Sequence, residues 1–386
     1  MRKTRIFKIE PFHRKVISKH MLLKILSFID KKSRPTPYLL LDKEVIREKA
    51  SIIGKNIRNS RVFYAVKANP EPALIKYIHS LGLGFEIASE GELALLKSIK
   101  VSPDKIITSN PVKSFKFLRM ASSYGVKYYA FDSVDEVDKL ARYVSGASVY
   151  VRLSVPNEGS EWPLSRKFGV ELEDALSLIL YAKKKGLKPC GLTFHVGSQC
   201  TNIYNWSTAL LKAHALWNMA KEKGIEFEMI NIGGGYPIRY TKDVVNIEPI
   251  EKSVDKLIAE RFPKGVSVFI EPGRALVGDA GVFVTTVIGK AERVGENWLY
   301  LDVGVFNGLM ESLGGIRYSY MVEEGGRRKI WTITGPSCDS FDVIDRDVIL
   351  YEPKIGSIVL ILSSGAYTIS YASEFNGFSI PKTILI

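Results

Sequence analysis

The chain has 386 residues, 46% hydrophobic and 25% charged, an ordinary balance for a compact globular protein that excludes a disordered or fibrous one. Its net charge of +13 is concentrated at one end: residues 1 to 34 carry eleven Lys or Arg against two acids, so the remainder is nearly balanced and gives no basic face for nucleic acid. Three cysteines, Cys190, Cys200 and Cys338, form no C-x-x-C pair and no metal-ligand spacing, which points to neither a disulfide framework nor a metal centre and fits a reducing cytoplasm.

The basic segment, residues 1 to 36, reads as a solvated extension that could add a strand to a β domain. Its apolar run from Met21 to Ile29 is interrupted by Lys24 and is too short to span a membrane, and no export signal follows it. Pro35-Thr36-Pro37 reads as the linker into the next domain.

From residue 37 short β-rich runs alternate with amphipathic segments. Strands are expected at 62–66, 85–88, 105–108, 128–132, 148–153, 192–196, 229–232 and 266–270. Helical spacing lies between them, for example at 90–99, 133–141 and 173–184, with Ser89 and Ser133 placed as caps. Eight strands joined by helices predict a (β/α)8 barrel over 37–275, with a doubly wound open sheet as the alternative. After residue 275 the helical spacing stops. Runs at 281–289, 298–303, 347–351 and 357–362 predict an antiparallel β domain over 276–386.

A barrel collects its reactive groups at the C-terminal ends of its strands. There the sequence sets Lys67, Arg152, His195-Val196-Gly197-Ser198, Gly233-Gly234-Gly235 and Glu271-Pro272-Gly273-Arg274. The three glycines let backbone N–H groups approach an anion, and Arg274 adds a forked donor, a combination suited to phosphate. A phosphate cradle, a lysine and a carboxylate on one rim are what pyridoxal phosphate requires: Lys67 for its aldehyde, Glu271 for its pyridine nitrogen, His195 for its ring face. Singly, Lys67 reads as a solvated strand end, His195 as a core histidine, and Glu271 with Arg274 as a structural ion pair. Their convergence favours the cofactor.

The motifs F-Y-A-V-K-A-N-P, F-H-V-G-S-Q, N-I-G-G-G-Y-P, E-P-G-R, G-P-S-C-D-S-F-D and G-A-Y-T, in this order from about residue 36 onward, closely resemble the fold-type III pyridoxal-phosphate decarboxylases of ornithine, lysine, arginine and diaminopimelate. The resemblance implies an alanine-racemase-like barrel followed by a β domain. It implies that Lys67 binds the cofactor's aldehyde, His195 stacks on the ring and Glu271 pairs with the ring nitrogen, with Arg152 nearby. Ser198, Gly233, Gly234, Gly235, Arg274 and Tyr367 would hold the phosphate. It further implies a two-fold homodimer with shared sites, in which Cys338 and Asp339 reach into the partner's barrel, Cys338 to protonate Cα and Asp339 to meet the substrate's distal ammonium. Phe375 matches an aromatic near the reacting carboxylate, and Lys167 and Asp342 match a pair bridging the subunits.

C-D-S at Cys338, where diaminopimelate enzymes have C-E-S, and the run E-W-P-L-S-R-K-F-G resemble the bacterial ornithine and lysine branch. The resemblance thus implies ornithine to putrescine first and lysine to cadaverine second, in polyamine biosynthesis, with diaminopimelate or arginine as alternatives. A catalytically silent regulatory relative and a racemase are the other readings. The first would tend to lose the lysine or the cysteine, and the second wants a tyrosine where this chain has Cys338. Two places depart from the pattern. Glu86 stands where the family has Asp, moving that carboxylate by about 1.5 Å, and a second substrate acid near Glu311 has no clear match.

Overall fold

The computed structural model describes residues 7–32, 34–162, 167–323 and 325–386. The chain divides into two compact units: one takes Glu48–Pro237 and Val245–Gly273, the other the residues up to Arg47, Ile238–Val244 and Arg274–Ile386.

The first unit is a closed barrel of eight parallel strands: Ser60–Ala65, Gly84–Glu86, Ile106–Thr108, Tyr128–Phe131, Ser148–Arg152, Lys188–Thr193, Met229–Asn231 and Ser267–Ile270. Closure comes from the last strand pairing with the first, Ile270 against Val62. Inward-facing Phe63, Ile107, Tyr150, Met229 and Phe269 fill the interior, and the Phe63 and Phe269 rings lie 4.8 Å apart. Each such ring contributes about 2–3 kcal/mol of burial, so the interior is packed and chemistry is confined to the rim. Serines cap several of the connecting helices. The Oγ atoms of Ser89, Ser114 and Ser133 accept N–H bonds from Glu92, Phe117 and Glu136, capping helices Glu90–Ser98, Phe115–Tyr124 and Val134–Tyr143.

The sixth strand differs from its expected position. It occupies Lys188–Thr193, so His195 lies in the loop beyond it. Pro189 and Gly191 suppress the β signal of that stretch, and pairing on both sides overrides it.

The second unit is an eight-stranded sheet running in the order Tyr320–Val322, Ile358–Ile361, Gly281–Arg293, Glu296–Leu301, Arg328–Thr334, Val343–Tyr351, with Tyr38–Leu41 and Lys382–Leu385 added through Gly281–Arg293. Two of its pairings are parallel, Tyr38–Leu41 with Lys382–Leu385 and Glu296–Leu301 with Arg328–Thr334, and the others are antiparallel, so the expected antiparallel domain is a mostly antiparallel sheet. Tyr38–Leu41, expected with the barrel, is paired and fully buried in this unit.

The basic N-terminal segment also corrects its reading. From Phe7 it is folded: helix Lys19–Lys31, capped by Ser18 at 3.1 Å, buries Met21, Leu22, Ile25 and Ile29 on one face. That face packs in one core cluster with Leu40, Val282, Val284, Leu360 and Leu362. Its lysines therefore decorate a helix docked on the sheet rather than a solvated tail. Residues 1–6 and the Pro163–Arg166 part of the E-W-P-L-S-R-K-F-G run lie outside the described residues. Among the described residues no helix is long and apolar enough to cross a membrane.

Candidate active site

The first barrel strand ends where Ala65 N–H donates to Pro272 O at 3.0 Å, and the chain then turns through Val66–Ala68, closed by Asn69 N–H to Val66 O at 3.1 Å. Val66 and Ala68 are buried and anchor the turn, which leaves Lys67 as the exposed residue between them. Lys67 lines a cavity of about 250 Å³ together with Glu86, Ser109, Arg152, Phe168, His195 and Glu271. The barrel thus brings together the predicted lysine, arginine, histidine and glutamate from four different strand ends.

Glu271 follows the eighth strand and is held by two groups that sequence reasoning missed. Ser109 Oγ and Asn231 Nδ2 both donate to its Oε1, and Ser109 Oγ also lies 2.8 Å from the hydroxyl of buried Tyr150. No hydrogen bond reaches Oε2 among the described residues. Burial first, then repulsion from Glu86, pushes the Glu271 carboxyl up from 4.5 to about 7, against the Ser109 and Asn231 bonds and the attraction of Lys67. Glu92, whose Oε2 accepts Ala88 N–H at 2.6 Å, is raised to about 7 in the same way, by burial and then Glu86. Glu86, the departure from the family pattern, is 3% exposed and electrostatically tied to both.

His195 Nδ1 accepts Gly197 N–H at 3.0 Å, which fixes the other nitrogen, Nε2, as the protonated one. Burial, with help from Arg152 and Lys67, drops its pKa well below the ordinary value, so the ring is neutral. Burial also lowers Arg152, opposed by Glu271, Asp132 and Glu86. Its guanidinium sits 5.3 Å from the Phe168 ring centroid.

The loop after the third strand carries Ser109, Asn110 and Pro111 into the cavity wall. It is anchored by Lys113, whose buried ammonium meets Glu136 at 3.2 Å and donates to Ala130 O at 2.5 Å. The triple-glycine turn after the seventh strand cannot carry side chains. A Cβ on Gly233 would meet Phe194 O at 2.5 Å, one on Gly234 would meet Glu271 O at 2.3 Å, and one on Gly235 would meet Gly197 O at 2.4 Å. Gly233 and Gly235 also hold positive φ, +66° and +94°. Ser198 opens the short strand Ser198–Cys200, paired to Ser160–Trp162.

Arg274, Tyr367, Cys338, Asp339 and Phe375 belong to the sheet unit. Arg274 has a carboxylate partner that was not anticipated: it is bidentate to Glu311, at 2.7 Å for both bonds, and also donates to Tyr240 Oη. The guanidinium lies 4.8 Å from the Tyr367 ring centroid. The structural ion pair weighed for Arg274 thus exists, with Glu311 in place of Glu271. Cys338 Sγ and its backbone N–H both meet Asn376 Oδ1 at 3.2 Å. Asp339 Oδ1 accepts Phe341 N–H at 2.8 Å, and the Phe375 ring packs 4.6 Å from Phe306. Asp342, expected to bridge subunits with Lys167, is 2% exposed, and its two oxygens accept N–H bonds from Val305 and Ser337 in its own chain.

Ser109 and Asn231 could have been found by the rule that exposed Lys67, since one directly follows the third strand and the other ends the seventh. Glu311 and Tyr240 had no such signal.

Comparison with known proteins matches residues 43–278 to the family model "Pyridoxal-dependent decarboxylase, pyridoxal binding domain". The chain is 37% identical over 357 residues to a lysine/ornithine decarboxylase of Selenomonas ruminantium, covering 91% of this chain and 90% of the relative. It is 31% identical to the solved lysine/ornithine decarboxylase of Vibrio vulnificus complexed with cadaverine, with a TM-score of 0.88 over 96% of this chain and 99% of that one. It is also 31% identical over 355 residues to antizyme inhibitor 2 of Xenopus laevis, covering 87% of this chain and 77% of the relative. The barrel's donor set suits a pyridoxal group: an amine at the cavity, a carboxyl with a free oxygen, a neutral imidazole and a turn whose amides no side chain can screen.

Proposed function

We propose that this chain, which belongs to the pyridoxal-dependent decarboxylase family, removes the α-carboxylate of a basic L-amino acid, L-ornithine first and L-lysine second. The observation that carries this reading is the gathering of Lys67, His195 and Glu271 on one barrel cavity.

Pyridoxal phosphate, when bound, supplies the electron sink that accepts the pair left behind as CO2 departs. Lys67 would hold its aldehyde, His195 its ring face, Glu271 its ring nitrogen, and Ser198, Gly233 to Gly235, Arg274 and Tyr367 its phosphate. Arg152 supports the Glu271 end through its charge.

The chain's own residues then have definite tasks. With Oε1 taken by Ser109 and Asn231, Glu271 keeps Oε2 for a proton shared with the ring nitrogen. A carboxyl raised to about 7 holds that proton at neutral pH at little cost. Neutral His195 adds no positive charge that would compete for the ring's electrons. Phe168 and Arg152 line the cavity beside Lys67 and Glu271, where they would shield the reacting bond from water.

We assign the later steps to a homodimer with shared sites. Cys338 of the partner subunit returns the proton to Cα, Asp339 of the partner subunit meets the distal ammonium, and Phe375 of the partner subunit borders the leaving carboxylate. A carboxylate alone suits a distal ammonium, whereas the zwitterionic end of diaminopimelate would also need a cation. The free thiols Cys190, Cys200 and Cys338 support a cytoplasmic setting.

The test is CO2 release from ornithine, lysine, arginine and diaminopimelate by the purified protein with pyridoxal phosphate. Ornithine should turn over fastest, and Asp339→Ala should raise its KM by roughly a hundredfold, the loss of one charged hydrogen bond. No CO2 from any of the four would overturn the reading in favour of a silent relative.

A further inference from the structure

We propose that Asn231 is a positioning residue that ties the two ends of the cofactor site together, so that the ring-nitrogen carboxyl and the phosphate turn move as one unit. The inference rests on the reading above, in which Glu271 meets the ring nitrogen and Gly233 to Gly235 meet the phosphate.

Asn231 ends the seventh barrel strand and is 0% exposed. Its amide points both ways. Nδ2 donates to Glu271 Oε1 and, at 3.2 Å, to Ser109 Oγ, while Oδ1 accepts Gly233 N–H at 2.9 Å. A second strut runs beside it, Glu271 N–H to Gly233 O at 2.8 Å. The side chain therefore joins the carboxyl to the first glycine of the turn through one rigid plane.

Few side chains can do this. The task needs a donor toward Glu271 and an acceptor toward Gly233 on a short, flat group, which asparagine has. Aspartate would keep the acceptor but put a third carboxylate beside Glu271 and Glu86. Alanine would leave the buried Gly233 N–H and Glu271 each short of a partner. Gly233 has little room to find another position, since a Cβ there would lie 2.5 Å from Phe194 O and its φ is +66°. Ser109 is the natural control, because its Oγ bonds Glu271, Asn231 and Tyr150 but not the glycine turn.

The test uses the holoenzyme and two spectroscopic readouts. The phosphorus-31 resonance of the bound cofactor reports the phosphate end, and the pH midpoint of its visible absorbance reports the ring end. Ser109→Ala should move the midpoint and leave the resonance in place. Asn231→Ala should move both and weaken cofactor binding roughly tenfold, and Asn231→Asp should move the midpoint upward while holding the resonance.

An Asn231→Ala enzyme with an unmoved resonance and native cofactor affinity would make Asn231 a core amide only and overturn the inference. Should that variant fail to fold, a resonance displaced in Asn231→Asp, which keeps the acceptor for Gly233 N–H, or in Ser109→Ala, which does not touch the glycine turn, would overturn it equally. Glu271→Gln separates the two levels, since an unchanged absorbance midpoint there would sink the placement of the cofactor itself.

Discussion

Glu271 in the barrel and Glu311 in the sheet unit are both buried-site glutamates with two hydrogen-bond donors, and they differ in what donates. Glu311 meets the Arg274 guanidinium face to face, two charge-assisted bonds of 2.7 Å that match its charge. Glu271 receives neutral donors, Ser109 and Asn231, on a single oxygen, with Glu86 adding repulsion. Burial works against the charge of Arg274, yet Tyr240 and Glu311 more than offset it and raise its pKa above the ordinary arginine value. The Glu271 carboxyl is pushed up to about 7. A satisfied pair holds structure together and leaves nothing to react, whereas a carboxyl kept from a direct counter-ion stays ready to exchange a proton.

The contrast breaks most sharply at the two cations. Lys67→Ala should lower CO2 release by at least about a thousandfold and abolish the visible absorbance of bound cofactor, since the nucleophilic amine itself is lost. Stability of the cofactor-free protein should change by less than about 1 kcal/mol, because Lys67 is exposed on a turn held by its neighbours. Parallel loss of fold and activity would refute that separation.

On the other side of the comparison, Glu311→Ala should cost roughly 3–5 kcal/mol in urea denaturation, the price of a buried guanidinium without its carboxylate. A loss below about 1 kcal/mol would mean that Tyr240 alone satisfies Arg274.

These expectations also show where the sequence was legible. Lys67, His195, Glu271 and the triple glycine stood out because each is an improbable residue at or just beyond a strand end, and the strand ends followed from the β-rich runs, except the sixth, which ends at Thr193. Glu311 and Tyr240 were not legible, because a buried ion pair spanning 37 residues of chain is a tertiary fact with no local pattern. The N-terminal helix is a third case. Met21, Leu22, Ile25 and Ile29 have helical spacing behind a Ser18 cap, yet the segment's charge dominated its reading. Charge on one face does not oppose burial of the other. Asp342 is a related case: a motif gives a residue's type, but that its oxygens accept the amides of Val305 and Ser337 depends on packing.

The finest test of the comparison lies in pH. An acid whose folded pKa is raised from 4.5 to about 7 keeps its proton in the folded state where the unfolded chain has already released it. Its folded form is therefore favoured at low pH, and that advantage is lost as pH rises from about 4.5 to about 7. Glutamine carries no such proton, so Glu271→Gln without cofactor should gain stability relative to the parent between pH 5 and pH 8, by up to about 3 kcal/mol. Glu311→Gln should show no comparable gain, because it removes the counter-charge of Arg274 at every pH in that range. Urea denaturation of both variants at pH 5 and pH 8 separates the two glutamates, and matching pH slopes would mean that Glu271 carries its charge as comfortably as Glu311 does.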